Sequence, residues 1–331
     1  MSLIPSFWVA AARWSARLDL RPVLRTHGAA ALVAARPGQL LRLGLPPAFV
    51  TTCERAEPQP FEGPWAVVGG AGYPERLLEL TKPPPVVFFR GRVELLQRPA
   101  VTVVGSRSCT AYGRRHASQL GAAIAQAGGV LVSGAARGID TAAHDAALDR
   151  GDSVAVLGAG LDHPPAASAR SLLARLAARG LLVSELPPLD PPSRRTFPRR
   201  NRLLAALGRA TVVVEAARRS GALITARYAA ELGRDVFAVP GPLDAPASAG
   251  TLDLLEGGAS LYRSPAGVLG LLDRQASPSA RVLHALAEGP ASPTQLALAL
   301  DLPDRDARTV LSLLELTGTV RRLADQRYAL R

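Results

Sequence analysis

The 331-residue sequence contains a single lysine, Lys82, so 38 of its 39 basic residues are arginine. Any phosphate it holds must be met by guanidinium groups, backbone amides or hydroxyls. Two cysteines, Cys53 and Cys109, are too few for a disulfide framework or a four-cysteine zinc site, and five histidines make a metal site unexpected. No cofactor is expected. No apolar run approaches the roughly 20 residues that cross a bilayer. No basic stretch precedes an apolar one at the start of the chain, so the expectation is no signal peptide, no membrane partner and a cytoplasmic location. A Gly-x-x-x-x-Gly-Lys-[Ser/Thr] phosphate loop and a Gly-x-Ser-x-Gly nucleophile elbow are both missing.

What is abundant is positive charge. The net charge is +12, which favours a polyanionic partner, nucleic acid or acidic lipid. A hydrophobic fraction of 48% excludes a wholly disordered chain, and the length suggests two or three domains.

Three rhythms divide the chain. Residues 1–60 read as short helices, with apolar residues at helical spacing and cuts at Pro22, Pro37 and Pro46-Pro47. Residues 61–270 alternate short β-branched runs with helical stretches. The strands expected are Val101–Val104, Val130–Ser133, Ser153–Leu157, Leu181–Ser184, Thr211–Val214 and Asp235–Val239, with Ala66–Val68 and Val86–Phe89 as possible extensions. Near-continuous apolar strands separated by helices indicate a mostly parallel, doubly wound α/β sheet. Residues 277–331 follow a linker near 264–278. They read as a helix from Ser277 or Ser279, a second opening with the capping box Ser292-Pro293-Thr294-Gln295, a third ending at Gly318, and a hairpin. That is winged-helix order. Its third helix begins Asp304-Arg305-Asp306, so an accessory role fits better than strong duplex binding.

In an open parallel sheet, ligands bind beyond the carboxyl ends of the strands. Gly105-Ser106-Arg107, Ser133-Gly134-Ala135-Ala136-Arg137-Gly138 and Arg218-Arg219-Ser220-Gly221 each follow an expected strand, and each pairs small residues with arginine before a helix. Such loops let phosphate approach the backbone and meet helix N-terminal amides. The bland alternative is that each glycine only makes a turn. Arg194-Arg195-Thr196-Phe197-Pro198-Arg199-Arg200-Asn201-Arg202 surrounds one aromatic ring with five arginines. It reads either as a single-strand contact, with guanidinium groups on phosphates and a ring under a base, or as a solvated basic loop with Phe197 tucked inward. Asp140 and His144 could form an acid/base pair, or cap and pack a helix. Glu215 could be a base, or could order the arginine loops.

Several of these segments resemble the DprA/Smf family of DNA-processing proteins. They are Tyr73-Pro74-Glu75-Arg76-Leu77, Val104-Gly105-Ser106-Arg107, Gly138-Ile139-Asp140 with Ala143-His144, Phe197-Pro198-x-Arg200-Asn201-Arg202, Ser220-Gly221-Ala222-Leu223-Ile224-Thr225 and Ala238-Val239-Pro240-Gly241. The resemblance implies a SAM-like helical domain over 1–60, an extended Rossmann-like domain over 61–270 and a winged helix over 277–331. It also implies a non-enzymatic homodimer that binds single-stranded DNA, double-stranded DNA weakly at most, and helps load RecA during transformation. The DNA-binding set it suggests is Gly105, Ser106 and Arg107; Ser133, Gly134, Arg137 and Gly138; Arg194, Phe197, Arg200, Asn201 and Arg202; and Ser220, Gly221 and Thr225. Two positions depart from the family pattern: His163 precedes Pro164 in place of tyrosine, and Ala222 lacks a hydroxyl. The rival reading is a nucleotide-binding phosphoribohydrolase, whose Pro-Gly-Gly-x-Gly-Thr-x-x-Glu motif is absent.

Overall fold

The computed structural model of the chain describes residues 2–272, 282–283, 285–286, 289–300, 302–316 and 319–330. Packing groups Met1–Leu272 as one compact unit and Asp273–Arg331 as another.

The first unit opens with β1 (Ser2–Ile4), α1 (Ser6–Arg13), α2 (Arg21–Ala34), α3 (Pro37–Arg42), α4 (Pro47–Arg55) and β2 (Gln59–Phe61). Prolines stand within the first two positions of α2, α3 and α4, where the missing N–H has no intrahelical partner to lose. β1 and β2 pair antiparallel. Phe7, Phe49 and Phe61 of this segment belong to one apolar cluster with Phe88, Leu176 and Leu182 of the sheet layer beside it. Phe61 meets Phe88 edge-on at 5.6 Å.

The large sheet follows: β3 (Trp65–Val67), α5 (Glu75–Leu78), β4 (Val86–Gly91), β5 (Ala100–Val104), α6 (Ala111–Gln126), β6 (Val130–Ser133), α7 (Ile139–Leu148), β7 (Asp152–Leu157), α8 (Ala167–Arg179), β8 (Leu181–Ser184), α9 (Thr196–Leu207), β9 (Ala210–Val213), α10 (Gly221–Glu231), β10 (Asp235–Ala238), α11 (Ala249–Glu256), β11 (Ser260–Leu261) and α12 (Pro265–Leu269). Among the described residues it has nine strands, ordered β11-β10-β9-β5-β6-β7-β8-β4-β3. The pairings from β11 to β8 are parallel, while β4 runs antiparallel to both β8 and β3. The expected strands are all present within a residue or two, with helices between them, and α9 takes in residues 196–202 of the arginine segment.

Side chains alternate across the sheet. Val101, Val103 and Leu131 pack against Leu120, Ile124 and Ala143 of α6 and α7. Val104, Val132 and Val213 pack against Leu203, Leu204 and Ala226 of α9 and α10. β6 lies on one side of β5 and β9 on the other, with Val104 in register with Val213. The loops leaving β5 and β9 therefore diverge from a topological switch point, where open α/β sheets place ligands.

In the second unit, α13 (Pro293–Ala299), α14 (Asp304–Leu316), β12 (Val320–Arg322) and β13 (Tyr328–Leu330) enclose Leu296, Leu311, Val320 and Tyr328. The Ser292–Gln295 capping box is formed and β12 pairs antiparallel with β13. The expected helix start at Ser277 or Ser279 and the stop at Gly318 lie outside the described residues. No helix among the described residues is long and apolar enough to cross a membrane.

Candidate nucleic-acid interface

A cleft of about 610 Å³ lies at the switch point. Val104–Ser108 form one wall, Arg219–Ala222 and Thr225 the opposite one, and Phe197, Pro198, Arg200 and Asn201 of α9 the back. Ala136 and Asp140 close it from the β6 side. Of the residues expected from sequence, Gly105, Ser106, Arg107, Arg194, Phe197, Arg200, Asn201, Ser220, Gly221 and Thr225 line this cleft. Ser133, Gly134, Arg137, Gly138 and Arg202 do not. Arg219, Ser108 and Asp140 are polar lining residues outside the expected set; their places in or beside the Gly/Arg loops were the signal that could have pointed to them.

The cations on the rim are Arg107, Arg194 and Arg219, all exposed. Arg137 is exposed too, but its Nε donates to the carbonyl of Arg107 at 3.3 Å and so props the first loop. That loop contact needs Gly138, whose φ of +92° suits glycine and where a Cβ would stand 2.3 Å from the Ser106 carbonyl oxygen.

Phe197 is not in an irregular segment. It is the second residue of α9, and Pro198 is the third, a first-turn position that tolerates proline. Ser193 and Thr196 exchange backbone-to-hydroxyl bonds of 2.9 and 3.2 Å that start the helix. The ring is half-buried, and the guanidinium carbon of Arg107 sits 5.1 Å from its centroid.

Three expected phosphate contacts turn inward. Arg200 is 5% exposed, and its guanidinium donates to the carbonyls of Gly134 at 2.9 Å and of Val156. Burial lowers its pKa to about 10, opposed by the Asp140 charge, so it remains a cation at neutral pH. Gly134 is small because a Cβ there would lie 2.5 Å from Arg200 Nη2. Asn201 donates to the Gly221 carbonyl at 3.0 Å and pins the start of α10. Arg202 donates to the Lys82 carbonyl at 2.8 Å and to Ser15 Oγ at 2.9 Å, and pairs with Glu185. Glu185 is also bonded by Arg199, whose other nitrogens reach the carbonyls of Ala12 and Arg13 in the α1 region. These side chains brace α9 from within, their guanidinium and amide groups turned to carbonyls and a carboxylate of the fold.

The starts of α6 and α10 are capped by the Thr110 and Ser220 hydroxyls, and buried carboxylates hold amides of the loops. Glu215, 4% exposed, accepts from the backbone N–H of Thr110 at 2.9 Å and from its hydroxyl. It thus orders the first loop through Thr110, and does so without pairing to an arginine of that loop. Asp140 accepts from the Ala136 N–H at 3.2 Å. Burial pushes the Asp140 carboxyl up, opposed by Arg200 and by the Ala136 and Gly134 amides. Ser220 Oγ accepts from the Ala222 N–H at 3.3 Å. His144 bonds Ser153 Oγ at 2.7 Å through Nδ1, and burial lowers its pKa to about 3. A neutral, enclosed imidazole engaged with Ser153 fits the packing role. Among the described residues no His/Cys/Asp/Glu cluster is arranged to hold a metal.

A family model described as DNA recombination-mediator protein A matches residues 65–273, which hold the whole cleft. The chain belongs to the DNA recombination-mediator protein A family. Protein Smf of Escherichia coli K12 is 42% identical over 238 residues, covering 70% of this chain and 62% of that protein. The putative DNA processing protein DprA of Mycobacterium tuberculosis H37Rv is 51% identical over 171 residues, covering 51% of this chain and 44% of that one. The chain thus spans about half the length of these curated relatives. The X-ray structure of DNA processing protein A from Streptococcus pneumoniae superposes with a TM-score of 0.71 at 31% identity, over 83% of this chain and 100% of that one. A second member, DNA processing protein A of Helicobacter pylori, solved for its single-stranded DNA binding mode, gives a TM-score of 0.58 at 28% identity. That match covers 63% of this chain and 95% of the other. The mixed α/β sheet of this family member is therefore the DNA recombination-mediator fold.

Proposed function

We propose that this chain binds single-stranded DNA in the cleft between the β5 and β9 loops and presents it to a RecA-type recombinase. The observation that carries the reading is that Arg107, Arg194 and Arg219 line one cleft with the half-buried ring of Phe197, over which Arg107 lies. Guanidinium groups meet phosphates, while the aromatic-guanidinium stack offers a face to an unpaired base. A duplex hides its bases, so single strands gain more from this cleft. The solved H. pylori relative with its single-stranded DNA binding mode supports the same assignment. Action as a homodimer, without a cofactor and without catalysis, is part of the proposal. So are a SAM-like role for α1–α4 and a winged-helix accessory role for the second unit.

The test is a gel shift of the full chain with single- and double-stranded DNA of one sequence across a salt series. Tighter single-strand binding that weakens with salt is the expected outcome. Equal or tighter duplex binding overturns the reading. Release of free base from nucleoside monophosphates would favour the phosphoribohydrolase alternative.

A further inference from the structure

We infer that Asp140 makes the cleft select a polynucleotide over a single phosphate or mononucleotide. The inference rests on the single-stranded DNA reading and concerns how the same cleft discriminates among anions. Turns that join parallel strands to helices bind one phosphate by pointing several free N–H groups at it. Here three of those amides are engaged within the protein. Asp140 Oδ2 takes the Ala136 N–H at 3.2 Å, and the Ile139 N–H goes to the Ser106 carbonyl at 3.1 Å. At the start of α6, Glu215 takes the Thr110 N–H at 2.9 Å. Asp140 and Ala136 both line the cleft, so this carboxylate occupies a place that an isolated phosphate would need.

Charge follows the same division. Arg200, on the cleft floor, is buried with the Asp140 charge beside it, and its guanidinium is turned to the Gly134 and Val156 carbonyls. The floor carries one positive and one negative group, so it offers little net attraction to a lone dianion. The exposed arginines stand on the rim. A single phosphate reaches one of them and remains largely hydrated. A chain of phosphates reaches several at once, and each contact adds counterion release. Asp140 is thus a specificity-determining residue: its oxygens fill the amide site whether or not the carboxyl is protonated, and its charge, when present, repels a phosphate placed there.

The experiment measures binding of thymidine 5′-monophosphate and inorganic phosphate to the full chain by calorimetry, beside oligothymidylates of increasing length. Melting curves accompany wild type, Asp140→Ala and Asp140→Gly, both of which remove the side-chain oxygens from the Ala136 N–H. The wild type is expected to bind oligothymidylate increasingly tightly with length, and to show no saturable monophosphate binding at millimolar concentration. A folded Asp140 variant is expected to gain monophosphate affinity by about tenfold or more, the effect of hydrogen bonds released to a charged ligand. Saturable monophosphate binding by the wild type in the cleft, blocked by Arg107→Ala, overturns the inference. So does a folded variant with no gain. If neither variant folds, the wild-type monophosphate measurement decides it. Failure of the oligothymidylate to bind would count against the single-stranded DNA reading, while the monophosphate measurement still judges Asp140.

Discussion

The guanidinium of Arg107 lies over the ring of Phe197, 5.1 Å from its centroid, although the two residues come from different walls of the cleft. The contact makes one composite platform from a loop cation and a helix aromatic. On the proposed reading a base entering the cleft would stack on the pair, so the two side chains should act together. Phe197→Ala is expected to cost about 1–3 kcal/mol of single-strand affinity with an unchanged salt slope. Arg107→Ala should make that slope shallower by about 0.7. The double variant should lose less than the sum of the single losses, which a double-mutant cycle in a fixed buffer checks.

Exposed and buried arginines should separate cleanly in a paired assay of melting and salt dependence. Arg194→Ala removes an exposed rim cation and should shift the slope by about 0.7 with no change in Tm. Arg200→Ala should leave the slope unchanged and lower stability by about 3–5 kcal/mol, because Asp140 is left buried without its neighbouring cation.

Gly134→Ala tests the same brace from the backbone side. The new methyl would meet Arg200 Nη2 at 2.5 Å, in a wall that cannot give way freely. A loss of about 1–3 kcal/mol of stability is expected from overpacking. Weaker DNA binding should accompany it, read from a denaturant titration and a gel shift on one preparation.

His144 should contribute to the acid limb of stability. Its pKa is about 3 in the folded chain, against an unfolded value near 6.5, so only the unfolded state takes up this proton between those limits. The contribution is complete above pH 6.5 and falls by roughly 1.4 kcal/mol per pH unit as the pH drops toward 3. His144→Asn should flatten that limb in urea titrations at a series of pH values.

The sheet was legible because its strands are short apolar runs, such as Val101–Val104 and Val130–Val132 next to Ser133, bounded by helical periodicity. The three arginine loops were legible for the same reason, since each follows a strand end. The start of α9 was not, because Pro198 and its flanking arginines look irregular until Ser193 and Thr196 are seen to cap the turn. The burial of Arg200 and Arg202 was also hidden. Their acceptors, Gly134 and Val156 for one and Glu185 and Lys82 for the other, are distant in sequence and meet them only in the fold. A run of arginines reveals charge, while the fold decides which of them face water.

Kinship and folding are drawn along different lines in this chain. The shared family region begins at residue 65, yet Phe7, Phe49 and Phe61 lie in the cluster that covers Phe88 and Leu176, and the carbonyls of Ala12 and Arg13 hold Arg199 of α9. The helices ahead of that region thus stand behind the wall that carries Phe197. Inherited variation in that leading segment has a mechanical route to the cleft without touching a single residue that lines it.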